Sequence, residues 1–416
     1  MYRNIRRPFS AFIVVLLGAH AGTAGDSQLS LDRAVYLALT SNDPYLQEPA
    51  TRAAALLETG ISEGQLPDPK VRLAFANWPT NSFSYSQEPM TQLQLGLSQS
   101  FPRGATRQFK QEKRAVEARS ARHMQGLRRL EIELDTRKAW LDLYYLSVSK
   151  SKVLDSRQAV SELISITQSN FAAGKNKSQD IFRAEMELAL LDDRLIEIER
   201  QSDAARARLA RRIGAAANQE LASHPILRHP TDLSVLSELL STHPAVQLTR
   251  SKVDMATKDV AIAGEQYKPG WTVNVGYGAR GGDRADFASV GVTMDVPLFT
   301  KNRQDRKVSA AKKMRQAQRF SLDATLLDLR KKLTTAHANW SRTGERITLY
   351  QDVVRQRAAE TAEASLASYQ SGVTDFSELI RARLAELNTE LMLLRLKSDK
   401  LKAQAELLFL EGEYDA

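Results

Sequence analysis

Two proline-free stretches of matched length constrain this chain more than any other feature. From about Ala105 to about Asn170 there is no proline and a single glycine, Gly126. From about Arg303 to Ser368 there is again no proline and a single glycine, Gly344. Both are rich in Arg, Gln, Glu, Ala and Leu, which favour helix. At about 1.5 Å per residue each makes a rod on the order of 100 Å long, whereas a globular helix averages about 11–12 residues. The expected long helices therefore span about 105–170 and about 303–368. Their apolar residues form narrow seams: Leu141, Leu146, Val153, Val160, Leu163 and Ile164 stand among Lys, Asp, Ser and Gln. A narrow seam suits coiled-coil contact with neighbours and leaves two faces wet. Taken alone, the rods fit a fibrous or structural coiled coil. Wet on both sides, they also fit the wall of a water-filled tube.

The rest of the chain repeats itself around the rods. Pro44, Gln47, Pro69 and Trp140 recur 200 residues on as Pro244, Gln247, Pro269 and Trp340. Phe171 and Gly174 recur as Tyr369 and Gly372 at an offset of 198, and Pro102 as Pro297 at 195. Ordered matches at nearly constant spacing indicate two copies of one unit of about 200 residues. The expected division is a first repeat over 25–214, a linker over 215–235 broken by Pro225 and Pro230, and a second repeat over 236–416. Each unit begins with a helix, about Pro44–Ser62 (interrupted by Pro49) and about Pro244–Gln266. Two strands follow, then the rod, a short turn and a return helix, about 178–212 and about 375–411.

The strands are expected at about 70–78, 90–99, 270–279 and 287–297. Val71, Leu73 and Phe75 alternate with Arg72, Ala74 and Ala76, and Leu93, Leu95 and Leu97 with Gln94, Gly96 and Ser98. Trp271, Val273, Val275 and Tyr277 alternate with Thr272, Asn274 and Gly276, and Val290, Val292 and Met294 with Gly291 and Thr293. Each has one apolar face and one small or polar face, and a length near the roughly 9–11 residues of a tilted membrane strand. Trp78, Trp271 and Tyr277 stand where interfacial aromatics are useful. A sandwich with one wet face is the competing arrangement, but four strands split into pairs by long rods make a poor one. Four strands cannot close a membrane barrel, and open edges do not survive in lipid. A membrane barrel would therefore be shared by several chains.

Composition removes other classes. The N-terminus has the form of a secretory leader over residues 1–24: Arg3, Arg6 and Arg7, an apolar run Phe9–Gly18, then small residues ending at Ala21 or Ala24. There is no cysteine, hence no disulfide, thiol catalysis or N-terminal lipidated cysteine. The formal charge is +9, of which the leader arginines supply three, and no basic tract interleaves with aromatics to bind nucleic acid. No Gly-rich phosphate loop, metal motif or nucleophile elbow marks an enzyme, and no cofactor is expected. Of the mature histidines, His123, His224, His229, His243 and His337, only His224 and His229 are close, in the proline-broken linker. They make no zinc set.

Two turn motifs then carry a family resemblance. The first runs FAAGKNKSQDIFRAEMEL from Phe171 to Leu188, the second YQSGVTDFSELIRARLAEL from Tyr369 to Leu387. Gly174, Asp180, Arg183 and Ala184 match Gly372, Glu378, Arg381 and Ala382. With LPDP (Leu66–Pro69) and YKPG (Tyr267–Gly270) before the strands, and SQSFPRG (Ser98–Gly104) and DVPLFTKNR (Asp295–Arg303) before the rods, the whole mature chain resembles the TolC family of outer-membrane efflux channels. The resemblance implies a mainly α fold with a small β part, built from a duplicated helix–strand–strand–long helix–helix unit. A homotrimer would close a 12-stranded outer-membrane β-barrel, in contact with lipid and continued by a long periplasmic α-helical barrel. It implies a passive duct, a periplasmic adaptor and an inner-membrane pump as partners, and a tip or gate at the turns. Gly174, Asp180, Arg183, Gly372, Asp375, Glu378 and Arg381 are the tip candidates. Where the family lining can carry a second acid, this chain has Arg381, and Arg183 in the first repeat. Asp180–Arg183 and Glu378–Arg381 are then either surface helix pairs or part of a latch, in which case Arg381→Ala loosens the closed state. QEPMTQ (Gln87–Gln92), YKPGW (Tyr267–Trp271) and SVGVTMDVPLFTKNRQDR (Ser289–Arg306) are worded most like the heavy-metal branch. Organic-compound efflux and type I protein secretion use the same fold.

Overall fold

The computed structural model describes residues 28–172 and 177–412. The expected leader and Gly174 lie outside them. The elements are β1 (Gln28–Leu29), α1 (Leu31–Thr40), α2 (Pro44–Gly64), β2 (Lys70–Ala76), β3 (Gln92–Phe101), α3 (Thr106–Ala172) and α4 (Ser178–Ile213). After a 3₁₀ turn at Gly214–Asn218 come β4 (Glu220–Leu221), α5 (Leu233–Leu239), α6 (Pro244–Glu265), β5 (Gly270–Arg280), β6 (Phe287–Asp295), α7 (Gln304–Leu349), α8 (Arg355–Gln370) and α9 (Phe376–Glu411). The molecule is mainly α, with its strands gathered in one four-stranded sheet and one small two-stranded pair. None of the described helices is long and apolar enough to cross a membrane.

The first rod, α3, is one unbroken helix of 67 residues. The second, over 304–370, has the same span but is interrupted. A π-helical turn at Tyr350–Val354 separates α7 from α8. A π-turn widens the ladder by one residue and shifts the facing of everything beyond it. Nothing in the composition of that stretch marks the interruption.

Around α3 the helices form a single wall. Its strand-proximal half lies between α2 and α6: Arg114 pairs with Glu63 at 2.9 Å, and Lys113 with Asp259 and Lys258 with Glu112, both at 2.7 Å. Its distal half lies between α4 and α9. There Lys150 pairs with Glu199 at 2.8 Å, and Lys152 with Glu390 at 2.9 Å. The narrow seam is what closes this wall. Leu141, Leu146, Val153, Val160 and Ile164 are buried against Leu191, Ile198, Leu387 and Leu391. A belt of small elements clasps the wall midway. In it β1 pairs in parallel with β4, and buried Trp140 donates its Nε1–H to the Leu29 carbonyl at 3.0 Å. The sequence does not signal these short elements, because what stabilises them is their docking on α3 rather than any periodicity of their own.

Proline 49 does not interrupt α2 as expected. The helix runs from Pro44 to Gly64 with Pro49 buried inside it. Proline removes one backbone donor and leaves the carbonyl four residues earlier without its partner. That carbonyl belongs to Tyr45, and Arg128 of α3 donates to it at 2.8 Å. The arginine supplies the bond that the proline deletes.

The return helices meet the opening helices end to end. The C-terminus of α4 abuts the N-terminus of α2, where Asp43 accepts from the Tyr45 N–H at 3.0 Å and pairs with Arg211 and Arg212. The C-terminus of α9 abuts α6 in the same way. Here the junction residue is His243, whose Nδ1 accepts from the Ala245 N–H at 3.2 Å while Nε2 lies 3.1 Å from the Phe409 carbonyl. Gly412 (φ +75°) lets the backbone pass: a Cβ there would stand 3.2 Å from the His243 ring.

Candidate functional site: the apolar sheet and the helical tip

The order of the sheet is β2–β3–β5–β6, all antiparallel. Its register aligns the alternating residues in rows. Val71, Leu97, Val275 and Val290 form one row, and Leu73, Leu95, Tyr277 and Ala288 the next. Toward the rods, Gln99, Val273 and Val292 line up, followed by Phe101, Trp271 and Met294. This gives one apolar face, broken at Gln99 toward the rods, and it is bare: Val71 is 72% exposed and Val290 is 78% exposed. The opposite face carries rows of small and polar residues: Arg72, Gly96, Gly276 and Ser289, then Lys70, Ser98, Asn274 and Gly291. Among the described residues β2 and β6 each have one edge with no partner strand. An apolar band open to solvent and two unpaired edges are both costly in water.

The three predicted aromatics occupy the two ends of this band. Trp271 opens β5 on the rod side and Tyr277 lies toward its far end, about 20 Å away at roughly 3.3 Å per residue. Trp78 falls just past the end of β2 rather than inside a strand, with its ring edge-on to Phe75 at 4.5 Å. The far loops hold each other. Tyr85 donates to the Ala279 carbonyl at 2.6 Å, and Arg284 reaches the Ser86 and Glu88 carbonyls at 3.3 Å.

At the other end of the rods the second turn is built around Gly372, which adopts φ +75°. A glycine accepts this left-handed geometry without the clash a Cβ makes. Asp375 caps α9, its Oδ1 accepting from the Glu378 N–H at 3.0 Å. Glu378 and Arg381 form an ion pair within α9, both partly exposed. The corresponding Asp180–Arg183 pair is not formed. Asp180 accepts from the Lys177 backbone N–H at 3.4 Å, while Arg183 crosses to the Ser377 hydroxyl of α9. The first-repeat arginine therefore ties α4 to α9 instead of serving as a surface pair on its own helix. Arg194 does the same farther along, to Asn388 at 2.9 Å. Phe376, Leu379 and Ile380 are fully packed behind this contact, with Tyr369 edge-on to Phe376 at 5.8 Å. Ser377 and Phe376 escaped the sequence reading, since a serine in an apolar run carries no signal until its partner is known. By contrast the Arg357–Glu360 ion pair of α8 lies within the helix itself. Among the described residues no group of acids and histidines could hold a metal.

Residues 235–413 match the sequence model of the outer membrane efflux protein family. The fold resembles the outer membrane protein VceC from Vibrio cholerae, with TM-score 0.78 and 18% identity over 92% of this chain and 96% of that one. It also resembles CusC, with TM-score 0.77 and 13% identity over 92% of each chain. A third likeness is to the open state of the MtrE outer membrane channel of Neisseria gonorrhoeae, with TM-score 0.76 and 15% identity over 92% and 88%. No curated protein sequence matches the chain. These likenesses define the fold class: a sheet and long-helix architecture shared with outer-membrane channel structures. The match to the outer membrane efflux protein family covers the second half of the chain, and the fold of the whole chain is that of the TolC-type channels.

Proposed function

We propose that three copies of this chain close a 12-stranded barrel in the outer membrane and continue it as a helical tunnel, forming the passive exit duct of a tripartite efflux system. The observation that carries this reading is the sheet: one bare apolar face in continuous register, bounded by two unpaired edges. Lipid covers the face, and the neighbouring copy covers each edge, because hydrocarbon offers the edge groups no other partner. The rods support the same arrangement. Phe182, Met186, Leu190 and Ile196 on α4, and Met314, Phe320 and Leu327 on α7, are exposed in the single chain. They are apolar surfaces that a second copy would bury.

A periplasmic adaptor and an inner-membrane pump are the partners of such a duct, with the adaptor gripping the tip around Gly372 and the Arg183–Ser377 contact. The duct does no covalent chemistry, and the pump supplies the energy. The wording of the three loops puts heavy-metal cations first among cargoes to test. Organic compounds and a type I secreted protein are the alternatives on the same scaffold. A periplasmic structural coiled coil is the rival from another class, and it has no use for the apolar sheet.

Detergent extraction separates the classes. The channel requires detergent and runs as a trimer; a structural coiled coil extracts in buffer alone, which would defeat this reading. Cargo is tested by a susceptibility panel on a strain lacking the gene, with a complemented control. Sensitivity confined to copper, silver, zinc, cadmium, cobalt or nickel ions supports the metal cargo. Sensitivity to dyes, detergents and antibiotics alone overturns it and leaves the channel standing.

A further inference from the structure

The polar face of the sheet has an uneven charge. At mid-height it carries Lys70 and Arg72, two residues apart on β2 and therefore on the same face. The row beside Arg72 contains only Gly96, Gly276 and Ser289, and the row beside Lys70 only Ser98, Asn274 and Gly291. No acid shares either row. The nearby acids lie toward the ends of the sheet, one in an ion pair and one held by a backbone donor. Asp295, at the rod end of β6, pairs with Arg103 at 3.4 Å. Asp286, at the far end, accepts from the Arg280 N–H at 2.8 Å. Asp68, two residues before β2, makes no ion pair with Lys70, and among the described residues neither Lys70 nor Arg72 has a carboxylate partner.

The glycines matter to this arrangement. A Cβ on Gly276 would come within 2.8 Å of the Ser289 hydroxyl, and one on Gly278 within 1.9 Å of the Gln92 side chain. In the row of Arg72 two of the three partners are glycine and the third is serine, so the long cationic side chain stands above short neighbours, while Gln92 and Gln94 occupy the rows toward the far end.

We propose that Lys70 and Arg72 of the three copies form a basic girdle inside the barrel, and that this girdle makes the outer exit favour anions and oppose free cations. The inference rests on the trimeric-channel reading. Twelve strands about 4.8 Å apart and tilted by about 40° put the backbone on a cylinder of roughly 12 Å radius, and the inward side chains leave a narrower lumen. The Debye length at physiological salt is about 8 Å, so six like charges on the wall act across most of the lumen. Low-dielectric walls lined by one sign of charge focus that field and raise the local concentration of the opposite ion. Cargo of anionic or neutral form passes such an exit most easily, and a metal ion passes it more easily as a neutral or anionic complex than bare.

The test uses the full-length trimer in planar bilayers under a potassium chloride gradient at about 0.1 M. The wild-type reversal potential should show chloride favoured over potassium by about fivefold, and inorganic tripolyphosphate added from the barrel side should block. In Lys70→Gln/Arg72→Gln both effects should fall severalfold, and in 1 M salt the two proteins should converge. Arg72→Lys should keep the preference, and Arg72→Gln alone should lose about half of it, which covers a double variant that fails to assemble. A conducting trimer whose reversal potential and tripolyphosphate block are the same in wild type and variants overturns the girdle and leaves the channel. A wild-type protein that forms no trimer and no pore overturns the channel reading itself.

Discussion

The two end-to-end helix joints solve one geometric problem with different chemistry. In each, the negative end of a return-helix dipole meets the positive end of an opening helix, and one buried residue at the junction satisfies the first-turn donors. In the first half that residue is Asp43, held by Arg211 and Arg212 from the last turn of α4. In the second it is His243, neutral and 0% exposed, working between the Ala245 N–H and the Phe409 carbonyl. The first joint is ionic and depends on every partner. The second is a chain of neutral hydrogen bonds that proton uptake would break. Equivalent backbone positions in the two halves therefore impose a cap, but not a charge.

The largest expected effect comes from breaking the ionic joint. Asp43→Ala removes a cap and leaves two arginines without their buried partner, a loss of about 2–3 kcal/mol. His243→Ala removes a cap but strands no charge, so its loss should be smaller, about 1–2 kcal/mol. Thermal unfolding of the purified protein checks the order, and a reversal would defeat the contrast between the joints.

Acid should then separate the joints by pH. Burial pushes the His243 imidazole below its ordinary range, against a weaker upward pull from the Phe409 carbonyl, and Lys332 on α7 adds to the depression. The unfolded chain then binds the proton more readily than the folded one. The His243 contribution is fully present above about pH 6.5 and is lost as pH falls below it. Burial pulls the Asp43 carboxyl upward, but the hydrogen bonds and charge of Arg211, the Tyr45 N–H and Arg212 outweigh it and hold the group below its usual value. Its contribution survives until pH drops below the ordinary aspartate range near 3.9. Wild type should lose stability between pH 7 and pH 5, and His243→Asn, which keeps a cap without a titrating ring, should lose less across that window. Equal slopes in the two proteins would remove His243 as the cause.

Smaller effects test the other replacements of one contact by another. Arg128→Ala should cost about 1–2 kcal/mol, since it leaves the Tyr45 carbonyl without the donor that Pro49 withholds, and Ala at position 49 in the same protein should recover part of that loss. Arg381→Ala breaks an exposed pair within one helix and should cost no more than about 0.5 kcal/mol in a melting curve. If the arginine also latches the tip, single-channel conductance of the variant should rise; unchanged conductance leaves it a surface pair.

The sequence was most legible where a period runs long enough to count. The rods and four strands show as a proline-free run or an alternation, and their expected ends differ from the observed ones by a few residues. Three kinds of feature were hidden. The π-turn at Tyr350–Val354 leaves composition unchanged. The two-residue strands β1 and β4 and the 3₁₀ turn exist through docking on the rods, not through propensity. The tip contact of Arg183 with Ser377 joins residues 194 positions apart, whereas local spacing points Arg183 to the nearer Asp180. Pro49 misled in the opposite sense: its local rule is correct, but the orphaned carbonyl finds Arg128 on another helix.

Both joints hold the wall within one copy, whereas closure of the barrel lies between copies, and that closure is the central claim. The chain has no native cysteine, so an introduced pair reports without background. Cysteines placed singly at positions 71, 73 or 75 of β2 and at 290, 292 or 294 of β6 sit on opposite edges of the sheet. With β3 and β5 between them they are about 14 Å apart within a chain, far beyond the roughly 7 Å limit for a disulfide. Oxidation of proteins carrying one cysteine on each edge should therefore link only different copies, and the account predicts covalent trimers for at least one pair. Monomers alone, across all nine pairings in detergent-extracted protein, would contradict it.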